Sequence, residues 1–457
     1  MFDEKAEPQS ASADGWTNGV EAVGTVEKLI SGGAGLLRHQ SLGVCFVPHV
    51  LPGELVRFRV VGSAGLKLCN EKQDESNPRG FFRGFSRAEL LEVLRPSPLR
   101  VRPRCEHYDV CGGCDWQHVG YRTQIELKSE IVLENLQRLA GGKDYRALMR
   151  PAIAESDCGA GEDSPGWGYR HRAKFFRLDR EDSTPENIVS NGFRRLGFRR
   201  RESRESVGVP RCQILDPKIL RILRDAEDSP SFGDEGRDEE LHVFAGEQTC
   251  HWGAEEFDYR WNGLMLRSRA RLFFQSNAKV LPLLLAELQK SLAPILSGWQ
   301  GSFVDLYAGV GLFSGCLAPL LPDPGCGENP RQKYFAVERS SEAFHYLKQN
   351  LTGKGFRCCQ EEVGTFLKKT LQRSRSALQG SFIFADPSRG GLSTAVRRHL
   401  NSCGAEYIVY LSCDAASFAR DIGHLTQSYR VEYWRLIDFY PQTHHIETLA
   451  LLKNLRK

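Results

Sequence analysis

From about Leu266 the chain alternates short apolar runs with segments of helical period, an order that few folds satisfy. FVDLYAGVGLF reads as a strand entering a glycine turn, AFHYLKQNL as a helix, and SFIFADP and EYIVYLSC as two further strands. This is the pattern of a doubly wound, Rossmann-like α/β domain, expected over residues 265–457. VEYWRLIDFY and HIETLALLKN end the pattern as two strands joined by a short turn.

The preceding sequence has a different texture. Residues 1–18 are polar and read as a disordered tail. Over 19–94, short alternating stretches such as VGTVEKL and AELLEVL are punctuated by Gly32-Gly33-Ala34-Gly35 and Leu51-Pro52-Gly53-Glu54. Turn residues at that spacing predict a small β-barrel. A Pro/Arg-rich connector, Arg95 to Arg104, opens a β-rich central domain expected over 95–264. Within it, Gln117 to about residue 140 has apolar spacing near 3.6 and predicts a long amphipathic helix.

With 457 residues, the chain exceeds one ordinary core and fits two or three domains. The formal charge of +4 is too small for a uniformly basic nucleic-acid binder, so any binding surface must come from local clustering. The N-terminus lacks the apolar run of a signal peptide, and no stretch of 18 apolar residues predicts a membrane span. A cytoplasmic, monomeric protein is expected. Fourteen cysteines without an export signal then point to metal or catalysis before disulfides.

In Val304-Asp305-Leu306-Tyr307-Ala308-Gly309-Val310-Gly311, an apolar strand runs into a glycine turn. Gly309 and Gly311 let a ligand approach the backbone at the strand's carboxyl end. The next strand ends in Glu338, whose carboxylate suits a ribose diol. A dinucleotide site usually carries a third glycine, where this chain has Ser314. S-adenosylmethionine has no phosphate, so D-x-x-x-G-x-G suits it better.

Ile408 to Ser412 is an apolar strand running into Cys413, again at the ligand edge of the sheet. A cysteine in a strand is most often simply packed. Pro441 to Thr448 places polar groups between two apolar strands, and Glu447 starts the second of them. A carboxylate there needs a reason.

Arg271-Leu272-Phe273-Phe274-Gln275-Ser276-Asn277, DLYAGVG, ADPSRGG, LSCD and PQTHHIET occur in this order. Together they resemble the RNA uracil-5 methyltransferase family, over about residues 20–457. The resemblance implies a thiolate of Cys413 adding to carbon 6 of uracil and Glu447 removing the carbon-5 proton. It also implies that Gln275, Tyr307, Glu338 and Asp386 line the pocket for S-adenosylmethionine and uracil. Four positions depart from the family pattern: Ser388 in D-P-P-R, Asp414 and Ala415 in S-C-N-P, and Leu312 for an asparagine in the glycine turn.

Cys105-x5-Cys111-x2-Cys114 with a distant fourth cysteine is a metal pattern, and four thiolates suit zinc or an iron–sulfur cluster. Spacing does not choose between them. The segment is similar to the iron–sulfur segment of the ribosomal-RNA branch of the family, which implies a [4Fe–4S] cluster with Cys212 as fourth ligand; Cys158 is the alternative. ISGGAGLLRHQSLGVCFVPHVLPGELV resembles a TRAM domain, an OB-like RNA-binding barrel. The implied partner is 23S rRNA, with tRNA as the alternative. Arg194, Arg195, Arg199, Arg200, Arg201 and Arg204, near Tyr169, Phe193 and Phe198, are expected to form a basic surface with aromatic stacking platforms, and Arg100, Arg102 and Arg104 to add charge.

Overall fold

Alternation in the N-terminal part becomes a six-stranded sheet: β1 (Glu21–Thr25), β2 (Lys28–Leu29), β3 (Gly35–His39), β4 (Gly43–Val47), β5 (Leu55–Leu68) and β6 (Phe82–Arg95). The computed structural model describes residues 18–68, 82–155, 165–178, 196–227, 240–323 and 333–455. Strand order is β1-β5-β6-β4-β3-β2, with β4 and β6 parallel and the other pairs antiparallel. Val26, Leu37, Cys45, Val47 and Phe58 are buried together as its core. At Gly35 a Cβ would lie 2.3 Å from Val50 Cγ2, so only glycine fits there. Among the described residues no pairing joins β1 to β2, so the strands of the expected barrel form an open ladder.

The chain divides into two compact units. The first holds this sheet, runs on to Arg102, and takes back Asp115–Thr123; the second comprises Pro103–Cys114 and Gln124–Lys457. In the first unit, Arg100 Nε donates to the fully buried Glu54 carboxylate at 2.6 Å, so this arginine is structural. Val101 N donates to His118 O at 2.9 Å. That tie explains why the expected helix from Gln117 starts only at Tyr121: residues 116–119 are spent on backbone pairing.

Helix α1 (Tyr121–Leu139), in the second unit from Gln124 onward, precedes an antiparallel five-stranded sheet. Its elements are β7 (Arg172–Arg177), β8 (Leu196–Arg199), β9 (Ser206–Val207), α2 (Pro217–Glu227), β10 (Glu240–Ala245) and β11 (Cys250–Trp252). The hairpin β12 (Glu256–Trp261) and β13 (Leu264–Arg269) follows, so the expected domain boundary at 264/265 lies at the start of β13.

The seven-stranded sheet comes last. Its elements are α3 (Val280–Leu296), β14 (Phe303–Leu306), α4 (Leu312–Leu317), β15 (Tyr334–Glu338), α5 (Ser341–Asn350), β16 (Phe356–Gln360) and α6 (Val363–Arg373). The chain continues through β17 (Phe382–Ala385), α7 (Thr394–Ser402), β18 (Tyr407–Ser412), α8 (Ala415–Leu425), β19 (Tyr429–Ile437) and β20 (Glu447–Asn454). The order β16-β15-β14-β17-β18-β20-β19 is doubly wound, with β20 antiparallel to both neighbours. The order reverses between β14 and β17, the switch point where open α/β sheets bind ligands. Among the described residues no helix is long and apolar enough to cross a membrane.

Candidate active site

The reactive pair is placed by strand register. Ser412 on β18 pairs with Thr448 on β20 as the last pair of that antiparallel ladder, and Cys413 and Glu447 are the next residue on each side of it. Residues at opposed positions lie about 5 Å apart at Cα and present side chains to one face. Cys413 is half-buried, and Glu447 is 5% exposed.

Both residues line one cleft of about 660 Å³ at the carboxyl edge of the sheet, together with Gln275, Tyr307, Gly309, Glu338 and Asp386. Seven of the eight residues expected to act in catalysis or cofactor binding therefore meet in one place. Gly311 does not line it. Instead, Gly311 is the N-cap of α4 at φ 93°, and a Cβ there would lie 3.0 Å from Leu347 Cδ1. Its role is to let the turn close.

Tyr307 follows β14 at φ 67°, strained for a residue with a side chain. Glu338 accepts hydrogen bonds from Gly309 N (3.0 Å, Oε2) and Ser340 N (2.6 Å, Oε1). Those two bonds fix the carboxylate and leave lone pairs for a diol. Gln275 is 3% exposed, its carbonyl oxygen without a protein partner. A buried unsatisfied amide in a cleft wall invites a ligand donor.

The cleft holds an excess of negative groups. Burial pushes the Asp386 carboxyl up to about 7. Burial, then the Asp386 charge, raises Glu447 well above the usual carboxylate range, while Arg389 opposes. Burial, followed by Glu447 and Asp386, pushes the Cys413 thiol to about 12, and Arg389 again lowers it. Arg389 and His445 both line the cleft, and their Nη2 and Nε2 lie 3.3 Å apart. Sequence reasoning passed over both as site residues; the signal available was an arginine three positions beyond a strand-ending aspartate.

The raised Asp386 value fixes the sign of a stability effect. Between about pH 4 and 7 the folded protein holds this proton and the unfolded chain does not. Its favourable contribution is complete below pH 4 and lost as pH rises through 7. Asp386→Asn is therefore expected to stabilise the protein at pH 8, on the order of 1 kcal/mol after allowance for partial exposure, and to change little at pH 4. Denaturant melts at both pH values test this, and destabilisation at pH 8 would contradict it.

One departure from the family pattern keeps its local role. Asp414 caps α8, its Oδ1 accepting from Ser417 N at 2.7 Å, and aspartate and asparagine serve equally at such positions.

Cys111 and Cys212 are buried in one apolar cluster, against which Cys105 and Cys114 pack. Arg201 ties this segment down, donating to Tyr108 O and Cys114 O at 2.9 Å each. Yet among the described residues no three His, Cys, Asp or Glu side chains are grouped to hold a metal ion, so the expected metal site is gathered but not formed. Cys158 lies outside the described residues.

The expected stacking surface is corrected. Tyr169 is fully buried, its hydroxyl donating to Pro441 O at 3.0 Å, and Phe198 belongs to the cysteine-side core. Arg199 lies over Phe176 at 4.0 Å, and Arg104 over Trp167 at 4.9 Å. Phe193, Arg194 and Arg195 lie outside the described residues. Local spacing could not distinguish a basic surface from arginines used internally.

A doubly wound sheet with a thiol and a carboxyl in one cleft at its carboxyl edge is an α/β fold with a ligand-binding site. A family model described as tRNA (uracil-5-)-methyltransferase matches residues 347–455. An RNA methyltransferase of Streptomyces coelicolor is 30% identical, over 93% of this chain and 91% of its own. The 23S rRNA (uracil(1939)-C(5))-methyltransferase RlmD of Shewanella baltica is 26% identical, over 94% and 95%. The Pyrococcus abyssi tRNA (uracil-54, C5)-methyltransferase, solved with S-adenosyl-L-homocysteine, shares the fold at TM-score 0.57 and 19% identity, over 94% of this chain and 99% of that one. The chain belongs to the RNA uracil-5 methyltransferase family, and it is an enzyme of methyl transfer.

Proposed function

We propose that this protein methylates carbon 5 of a specific uridine in 23S rRNA through a covalent Cys413 adduct, with Glu447 as general base. The placement of Cys413 and Glu447 in one cleft, each next to the last pair of the β18–β20 ladder, carries the reading. Carbon 5 of uracil is a weak nucleophile. Addition of the Cys413 thiolate to carbon 6 forms an S–C bond and moves the ring π electrons toward carbon 5 as an enolate. Carbon 5 then takes a methyl group from a sulfonium donor, whose sulfur–methyl bond breaks to leave a neutral thioether. Glu447 removes the carbon-5 proton, the C–H electron pair re-forms the 5,6 double bond, and the S–C6 bond breaks to release the thiolate.

S-adenosylmethionine supplies an electrophilic methyl when bound, and the cleft residues suit it. Glu338 offers its remaining lone pairs to a ribose diol, Gln275 an unsatisfied amide oxygen, and Val310, Phe313 and Val337 an apolar wall. The volume is in the range of small-ligand sites.

The four gathered cysteines support a [4Fe–4S] cluster on Cys105, Cys111, Cys114 and Cys212, with zinc as the alternative. Iron and acid-labile sulfide in the purified protein are expected at about four per chain; stoichiometric zinc without sulfide would overturn the cluster. The N-terminal sheet is read as a TRAM-type RNA-binding module. The RlmD relative, similar along nearly the whole chain, favours ribosomal RNA. The Pyrococcus enzyme, which shares the fold over a similar span, keeps tRNA as the second reading. Methyl incorporation into 23S rRNA and tRNA transcripts, followed by mapping of 5-methyluridine, decides. Label in neither RNA would remove the proposal.

A further inference from the structure

Helix α1 buries a polar stripe that its amphipathic sequence does not announce. Gln124 and Lys128 are both 0% exposed, four residues apart and so on one helix face. Lysine is almost never fully buried unless paired. Both side chains reach the turn between β19 and β20. Lys128 Nζ donates to Asp438 Oδ1 at 2.7 Å and to Tyr440 O at 3.0 Å. Gln124 accepts from Gln442 N at 2.9 Å and donates to Gln442 Oε1 at 3.0 Å. Gln442 sits at φ 65°, a strained conformation that these bonds help to hold.

The turn ends at Glu447. Its Tyr440 and His445 line the cleft. Cys413 shares the β18–β20 ladder with Glu447, but it has two anchors of its own, the pairing of β18 with β17 and the capped start of α8. The carboxyl and the thiol thus lie at the end of one ladder, but the turn before Glu447 is tied to α1 while the thiol is tied to β17 and α8. A buried ion pair adds little net stability over an apolar pair of similar volume, so stability is a poor account of Lys128. Geometry is a better one.

We infer that Lys128, through Asp438 and the turn it fixes, is a positioning residue for Glu447 and sets the proton-removal step without setting nucleophilic addition. The inference rests on the proposed covalent reaction.

The test uses full-length protein, S-adenosylmethionine and whichever transcript accepts methyl, containing ordinary uridine. Lys128→Met leaves Asp438 buried without its cation, and Lys128→Met with Asp438→Leu removes both charges. Both variants are expected to accumulate a denaturant-stable protein–RNA adduct, with the ratio of adduct to released product raised at least about tenfold over wild type. Adduct must accumulate in the double variant although its melting temperature stays near wild type. A merely structural role slows addition and release together and leaves that ratio unchanged.

Glu447→Gln is the control. If it traps adduct and a folded double variant does not, the inference fails and the covalent mechanism stands. If the control turns over normally, the mechanism fails and the inference falls with it. Should Lys128→Met not fold, the double variant alone decides; if that also fails to fold, the pair is shown to be needed for stability and the inference is overturned.

Discussion

Cys413→Ala is expected to lose methyl transfer by more than about 10⁴-fold while RNA affinity and melting temperature stay near wild type. The thiol sits past the last paired residue of β18, half-buried at the mouth of a turn, so its removal leaves no large core cavity. Nor does it stabilise its neighbours: Glu447 and Asp386 both push the thiol toward its neutral form. Alanine therefore removes the nucleophile and little else. Serine is expected to fare no better, because an alkoxide is far harder to form than a thiolate. Two readouts separate chemistry from binding: methyl incorporation under single-turnover conditions, and a denaturing gel with 5-fluorouridine RNA. With fluorine at carbon 5 no proton can be removed, so the wild-type protein stalls as an adduct. An adduct of normal yield in Cys413→Ala would move the nucleophile elsewhere. The pH profile adds a sign: with the thiol pushed by burial to about 12, addition should quicken as pH rises above neutral.

Much of this cleft was legible because parallel sheets write their edges plainly. Apolar runs such as FIFA and YIVYLS are strands buried on both faces, and the residue after each, Asp386 or Cys413, falls at the ligand edge. What sequence did not carry was the register that brings separate strand ends together. The meeting of Cys413 and Glu447 in one cleft needs β20 to run antiparallel beside β18, a tertiary choice. Lys128 was illegible for a related reason. On an amphipathic helix a lysine normally marks the solvent side, and it takes the turn 310 residues away, with its Asp438 carboxylate and Tyr440 carbonyl, to make it an interior residue. Tyr169 and Phe198 failed as stacking platforms because aromatic side chains look alike in sequence whether they face bases or a core. Gly311 was read as a ligand contact when its constraint is conformational.

Glu447→Gln should convert the protein from a catalyst into a trap. The amide matches the carboxyl in size, so β20 and its pairing with β18 and β19 are kept. Stability should be kept as well. Burial and the Asp386 charge raise the Glu447 value in the folded state, so its favourable contribution belongs to acid pH and is lost as pH rises. Glutamine escapes that loss and is expected to melt no lower than wild type at pH 8. Chemistry divides at a single step. Cys413 can still add to carbon 6 and carbon 5 can still accept methyl, but the carbon-5 proton has no acceptor. Release should slow by about 10²- to 10⁴-fold, the usual contribution of a positioned base. Protein linked to methylated RNA with ordinary uridine should then build up to at most one equivalent, with little free 5-methyluridine. A second consequence concerns pH. Wild-type release should rise as Glu447 loses its proton and then level off, whereas the residual release of the glutamine variant should not follow that curve. Normal multiple turnover by Glu447→Gln would assign the proton to another group, with His445, which lines the cleft beside Arg389, the first to examine.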